Sequence, residues 1–178
     1  HTNFSKELVE QTFNGSVGAG KKVTCTIARN GDLVQAVYLR VKPDANASGA
    51  EVLGDCTNLI KTVELEIRGQ KIDKHYTEWL NVYNDLYVSG EQHAYREQLA
   101  TGDGQELVLP LRFWFCCNPG LALPLIALQY HEVKINMEFN ASWGQSQSSE
   151  FVFSDASLLV NYIYLDTDER RRFAQVSH

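Results

Sequence analysis

The chain has 178 residues, of which 44% are hydrophobic and 21% charged, a composition typical of one globular domain. Its formal net charge of −6 argues against a protein whose main task is to bind nucleic-acid phosphates, since that task requires a basic surface. No stretch approaches the roughly 20 consecutive apolar residues that a membrane-spanning helix needs. We therefore expect no membrane span.

The first half of the chain predicts short strands separated by turns. A weak strand signal at Leu8–Phe13 precedes a clearer one at 23–27, where apolar residues alternate with threonine. Asn30–Gly31 predicts a hairpin-type turn, which leads into a strand over Leu33–Val41. Strict alternation at 63–67 predicts another half-buried strand, with its two glutamates on the solvent side.

Helix is predicted in only a few places, most clearly in the middle of the chain. Between Tyr76 and Val88, apolar residues recur at spacings of three and four, which predicts an amphipathic helix. We expect Trp79, Tyr83 and Leu86 to cap the sandwich. A second helical segment is predicted over Glu91–Ala100.

The second half returns to strands. Leu107–Leu109 and Leu111–Cys117 are apolar on both faces, and a short helical turn is predicted within Leu121–Leu128. Val133–Phe139 alternates strictly, whereas Leu158–Leu165 is apolar on both faces, which predicts a central strand or one covered at an interface.

About eight strands with a helical insertion in mid-chain predict an all-β fold: an antiparallel eight-stranded jelly-roll sandwich. The polar segments Lys42–Gly54 and Ala141–Ser149 are predicted to be loops.

The cysteines give no sign of a disulfide framework or a metal knuckle. Cys116 and Cys117 are adjacent, which suits neither, and Cys25 and Cys56 stand alone. We interpret all four as buried or half-buried free thiols, which indicates a reducing compartment.

Catalytic patterns are also lacking in the sequence. A cupin-type metal site needs a His-x-His pair, and none of the five histidines forms one. His131 and Glu132 are adjacent, so within a strand they would point to opposite faces. A nucleophile pairing Cys116 or Cys117 with His131 is conceivable but has no supporting motif. We therefore predict no enzyme, with no catalytic, metal-binding or cofactor-binding residues and no cofactor.

Other charged and polar motifs have simple interpretations. The run 170–172 of three arginines is read as a solvated segment, and the carboxylate pairs Glu64/Glu66 and Asp166/Asp168 as surface charge. Four Asn-x-Ser triplets are possible N-glycosylation sites, with chance as the simpler explanation. Their asparagines are Asn3, Asn14, Asn46 and Asn140.

Three long stretches carry a family resemblance. Residues 63–76 continued by 78–82, residues 113–133, and residues 11–15 followed by 27–33 resemble the major capsid proteins of nucleocytoplasmic large DNA viruses (the phycodnavirus, iridovirus, mimivirus and asfarvirus group). The three stretches follow one another along the chain in the order expected of that family. The pair Cys116-Cys117 departs from the pattern, because at least one polar or charged residue is expected there.

The resemblance implies a structural protein of the virion. It implies two consecutive jelly rolls per subunit, residues 1–165 forming the first and 166–178 the connector to a second that this chain lacks. It further implies homotrimers that form pseudo-hexagonal capsomers, which tile an icosahedral shell around a double-stranded DNA genome. Expected partners are copies of the protein, neighbouring capsomers and minor capsid proteins, without sequence-specific nucleic-acid binding, and assembly is expected in the host cytoplasm.

The alternative is a jelly-roll carbohydrate-binding, lectin-like module. Trp143, in a polar loop, is the best candidate for a sugar contact, although a Trp folded over the end of the sandwich explains it more simply. Similarly, Tyr87 and Tyr95 could contact a neighbouring capsomer or a minor capsid protein if they lie outside the cap.

Overall fold

The computed structural model describes residues 3–43, 58–87, 106–128, 130–141 and 153–176. The elements in chain order are β1 (Phe4–Thr12), β2 (Lys22–Thr26), β3 (Leu33–Pro43), β4 (Ile60–Ile67), β5 (Gln70–Tyr76), α1 (Thr77–Tyr87), β6 (Leu107–Pro110), α2 (Trp114–Cys117), β7 (Leu123–Pro124), β8 (Val133–Phe139), β9 (Phe153–Leu165) and α3 (Thr167–Val176). Two 3-10 turns, Pro119–Leu121 and Leu125–Leu128, flank β7. No helix within these ranges is long and apolar enough to cross a membrane.

The strands form two antiparallel sheets. Sheet A has the order β1-β9-β3-β6, with β7 also paired to β3, and sheet B has the order β2-β8-β4-β5. Strands that follow one another along the chain mostly belong to different sheets, so most connections cross between the layers. The long strand β9 lies between β1 and β3, which confirms the prediction of a central strand near the end of the chain.

Alternating side chains from both sheets build the core between them. In β8, Val133, Ile135, Met137 and Phe139 are buried and the residues between them are half-buried, as the sequence predicts. Burying such apolar side chains supplies the main free energy of folding, at roughly 25 cal/mol per Å² removed from water. The alternation in each strand therefore decides which face turns inward.

One polar group inside this core is fully partnered. The Tyr162 hydroxyl donates to the carbonyl oxygen of Ala28 and contacts the Gln11 side-chain amide, whose oxygen accepts from the Ala28 backbone N–H. This cycle joins β1, β9 and the segment after β2, and it satisfies the polar atoms of the buried Gln11.

Three sequence predictions about local structure are wrong or incomplete. Leu111–Cys117 is not a strand. The chain leaves sheet A after Pro110, and the last four residues of the stretch, Trp114–Cys117, form α2. Phe113 reaches the core from the irregular segment before α2, and Phe115 reaches it from α2 itself. Asn30–Gly31 is not a hairpin turn, because β2 and β3 belong to different sheets. The described residues contain nine strands, one of them only two residues long, so the number eight is not confirmed.

Other predictions fall wholly or partly outside the described residues. The helix predicted over Glu91–Ala100 lies outside them, as do residues 44–54 and 142–149 of the two predicted loops. The mid-chain helix itself is confirmed as α1, which follows β5 directly and contacts β4 and β5.

Candidate assembly surfaces

The outer face of sheet B is mainly polar, with Ile72 and Tyr76 of its edge strand β5 49% and 51% exposed. Glu138 is paired with Lys22 and Lys61, at N–O distances of 4.0 and 3.2 Å. On the same face the Asn136 amide donates to Glu64 and Glu66, at 3.2 and 3.1 Å. Such networks of charge and amide are typical of a sheet face that remains in water.

The side chain of Glu64 is less exposed than the sequence predicts. It was predicted to lie on the solvent side, and it does point outward, but its side chain is only 9% exposed because Lys71 and Lys74 cover it. The carboxylate is paired with two lysines and shielded from solvent, which is a structural role.

The outer face of sheet A carries a band of apolar residues. The register pairs Leu159 of β9 with Tyr38 of β3, and Tyr38 with Pro110 of β6, so apolar groups lie side by side across three strands. Leu8 on β1 and Val108 on β6 extend this surface and are 55% and 41% exposed. Large exposed apolar surfaces of this kind mark contacts with other polypeptide. We call the set Leu8, Tyr38, Val108, Pro110 and Leu159 the sheet A apolar surface.

A charged cluster lies on the same outer face, because the register pairs Arg40 with Val108 and Glu10 with Leu159. The Arg40 guanidinium makes two bonds of 3.0 Å to the two carboxylate oxygens of Glu106. It also donates to Glu10 at 3.2 Å and lies 3.5 Å from Asp155. Its side chain is only 16% exposed, so three carboxylates hold it in one orientation. Arg40 is not among the residues predicted from the sequence, although a lone arginine inside an apolar strand is a detectable signal.

A second charged group fixes the last helix to the sandwich. The Asp32 carboxylate, 12% exposed, accepts from the Leu165 backbone N–H at 2.7 Å and from Arg170 Nε at 3.0 Å. Asp166 caps the helix by accepting from the Glu169 backbone N–H at 3.0 Å. The segment predicted as a connector is therefore a helix with a defined start, and Arg170 is not merely solvated.

The helix α1 buries a different face from the one predicted. Its buried residues are Leu80 and Asn84, whereas Trp79 is 45% and Leu86 68% exposed. Tyr83 is half-buried, and the Arg112 guanidinium lies 4.9 Å from its ring centroid. The prediction that Trp79 and Leu86 cap the sandwich is therefore wrong.

Next to α1 lies a buried histidine. The His75 ring stacks on Phe113 with centroids 5.1 Å apart and contacts Asp73 through Nε2 at 3.3 Å. Its buried Nδ1 has no hydrogen-bond partner among the described residues. Burial lowers the pKa of His75, although the charge of Asp73 opposes this effect.

The described cysteines are free, and their environments differ. Cys25 is buried and burial raises its pKa to about 11, while burial raises that of the half-buried Cys116 to about 12. Cys117 is exposed, contrary to the prediction that all four are buried or half-buried. Cys56 lies outside the described residues. Thiols with raised pKa values are poor nucleophiles, so Cys25 and Cys116 are suited to packing.

The remaining candidate catalytic groups do not form a site. His131 and Glu132 lie in the turn before β8 and not within a strand, and the His131 ring contacts the Arg68 guanidinium. Within the described ranges, no group of three or more His, Cys, Asp or Glu side chains could hold a metal ion.

The possible glycosylation sites have different surroundings. Asn3 and Asn14 are exposed, whereas the half-buried Asn140 donates through its side-chain amide to the carbonyl of Asn58 and to Thr77 Oγ1. Asn46 lies outside the described residues, as do Trp143 and Tyr95, while Tyr87 is 69% exposed.

These two sheets, with their strand orders and crossovers, define the jelly-roll class of β-sandwich. A family model described as "Major capsid protein N-terminus" matches residues 1–166. The chain therefore belongs to the major capsid protein family, a family of structural proteins and not of enzymes.

Individual relatives agree with this assignment. The major capsid protein of Pyramimonas orientalis virus is 52% identical, with 100% of this chain and 48% of that protein covered. The major capsid protein of Paramecium bursaria Chlorella virus 1 is 39% identical, with 100% of this chain and 44% of that protein covered. Among solved structures, the PBCV-1 virus capsid matches with a TM-score of 0.87 and 38% identity, covering 98% of this chain and 45% of that one. The chain thus spans about half the length of these relatives.

Proposed function

We propose that this chain is the first jelly roll of a longer major capsid protein. Residues 1–165 would form that jelly roll and 166–178 the connector to a second one. Two observations support this division: the relatives are about twice as long, and α3 begins at Thr167, immediately after the last strand of the sandwich.

The whole protein would form homotrimers that act as pseudo-hexagonal capsomers, and these would tile an icosahedral shell around a double-stranded DNA genome. The family match over residues 1–166 carries this proposal. The sheet A apolar surface supports it, because a shell subunit must bury the same surface in every copy.

The other partners follow from the same proposal. Neighbouring capsomers and minor capsid proteins would contact exposed side chains such as Tyr87. The net charge of −6 supports a shell that encloses the genome without sequence-specific contact to it. Assembly would take place in the host cytoplasm, with no cofactor. The sequons at Asn3, Asn14, Asn46 and Asn140 remain possible modification sites.

The decisive experiment is the native mass of the full-length protein, measured by light scattering across a range of concentrations. We expect three times the chain mass, with particles of pseudo-hexagonal outline in electron micrographs. A protein that stays monomeric at every concentration and binds glycans on an array would contradict the proposal and favour the carbohydrate-binding alternative.

A further inference from the structure

One buried histidine lies between the sandwich and the helix α1. The His75 ring stacks on Phe113 with centroids 5.1 Å apart and lies 6.2 Å from the Trp79 ring of α1. Phe113 in turn stacks on the buried Phe115 at 5.8 Å. We propose that His75 is an acid-sensitive contact: when its ring takes up a second proton, α1 detaches from the sandwich. This change would take place within one subunit, whatever partner covers α1.

The two ring nitrogens of His75 have different surroundings. Nε2 lies 3.3 Å from the Asp73 carboxylate, so the proton of the neutral ring belongs on Nε2, where it is donated to Asp73. Nδ1 then carries only a lone pair, and in the described part of the chain this buried atom has no hydrogen-bond partner. Protonation would create a buried N–H donor without an acceptor and would place a charge among aromatic rings. The geometry therefore favours the neutral ring.

Asp73 is the charged group that opposes this preference. Its negative charge attracts a proton to His75, but its side chain is 33% exposed, so water screens the attraction. Burial has the larger effect, and the pKa of His75 lies below its usual 6.5. The packed subunit therefore holds the ring neutral at a pH at which a solvated ring would already be protonated.

The elements around His75 supply no second charge that could stabilise a protonated ring, as far as the described residues show. On β4 the residue paired with His75 is the apolar Val63. The Arg112 guanidinium, on the segment before α2, lies 4.9 Å from the centroid of the Tyr83 ring, whose hydroxyl contacts the Cys117 thiol. The other charged side chains nearby are exposed or are paired on the outer face of sheet B: Glu64, Lys74, Glu78 and Asp85.

The helix α1 is suited to detach because little of it is buried. Of its 11 residues, only Leu80 and Asn84 are buried, and segments with few buried contacts open before the core does. Detachment would move Trp79 away from His75 and admit water to the ring, which would then regain its ordinary pKa. The open state binds the proton more tightly, so its population should grow by up to about tenfold per pH unit between the ordinary and the lowered pKa.

The test is hydrogen exchange of backbone amides in the full-length protein, read by mass spectrometry at about pH 7.5 and about pH 5.5. Protection factors, which remove the intrinsic pH dependence of exchange, are compared for peptides from α1 and from β8 as the internal reference. His75→Phe cannot take up a proton. Asp73→Asn keeps an acceptor for Nε2 but removes the charge that favours protonation. His131→Asn, in the turn before β8, is the matched control.

We expect the protection of α1 in the wild type to fall severalfold, up to about tenfold, between the two pH values while β8 keeps its protection. His75→Phe should abolish this fall and His131→Asn should retain it. Asp73→Asn should enlarge the fall, because the protonated ring loses its charged partner. If His75→Phe does not fold, His75→Gln replaces it with a neutral polar side chain.

Three results would overturn the proposal. The first is a wild-type α1 whose protection does not fall, or falls only as much as that of β8, since the latter would mean global unfolding. The second is a fall that persists unchanged in the His75 variant. The third is a smaller fall in Asp73→Asn than in the wild type, which would mean that Asp73 does not act on the proton of His75.

Discussion

Gly31 is predicted to tolerate no side chain, for a reason that lies in the packing of β9 against the turn before β3. A Cβ atom added at Gly31 would lie 2.7 Å from Tyr162 Cβ and 3.1 Å from Tyr162 Cγ. Tyr162 is fully buried, and its hydroxyl donates to the Ala28 carbonyl, so its ring has little freedom to move. The next residue, Asp32, donates its N–H to the Ile163 carbonyl at 3.0 Å, which holds the two backbones together.

The expected cost of Gly31→Ala follows from this geometry. The closest contact joins two Cβ atoms, so no change of rotamer relieves it and a backbone must shift. Overpacking of this kind costs about 1–3 kcal/mol, and we expect the upper part of that range. For a domain of this size, roughly 2–4 °C of melting temperature corresponds to each kcal/mol, so the midpoint should fall by roughly 4–12 °C.

The assay is thermal unfolding followed by circular dichroism, with Gly69→Ala as the control. Gly69 has φ +73°, and no heavy atom of the described residues lies within 4 Å of an added Cβ. Alanine there therefore costs only the left-handed backbone conformation, about 1 kcal/mol. A Gly31→Ala protein that melts within about 1 °C of the wild type, or no lower than Gly69→Ala, would refute the argument from close approach.

Three further substitutions test other features. Asp32→Asn should destabilise the protein by about 1–3 kcal/mol in denaturant unfolding, because Arg170 loses a largely buried charged partner. Arg68→Asn should stabilise it by about 0.5–1 kcal/mol, since Arg68 has φ +60° and asparagine adopts that conformation more easily. His75→Phe should abolish part of the acid sensitivity: burial lowers the pKa of His75 below its usual 6.5, so the unfolded chain binds the proton more readily and stability falls as the pH drops below about 6.5.

Each of these has its own control. Asp168→Asn, on the exposed side of α3, should cost less than about 1 kcal/mol, and an equal loss in both variants would argue against a specific role for Asp32. Arg68→Gly should give a smaller gain than Arg68→Asn, because glycine increases the entropy of the unfolded chain. Parallel stability–pH curves for wild type and His75→Phe would show that other groups cause the acid sensitivity.

The sequence by itself determined the elements whose side chains obey one simple period. Val133–Phe139 reads as a half-buried strand because apolar and polar residues alternate, and the structure buries its four apolar side chains. Residues 76–88 read as a helix because apolar residues recur every three or four positions, and the structure has a helix over Thr77–Tyr87. The long ordered matches also determined the family, since three stretches in the right sequence are far more specific than one motif.

Tertiary structure decided everything that depends on which groups lie opposite one another. Local pattern placed Trp79 and Leu86 in the cap, but the position of α1 beside β5 buries Leu80 and Asn84 instead. Gly31 looked like part of a hairpin turn, whereas its neighbours in space show that Tyr162 leaves it no room for a side chain. The apolar outer face of sheet A needed the register of four strands, because an outward-facing leucine and a core leucine are identical in sequence and differ only in what covers them.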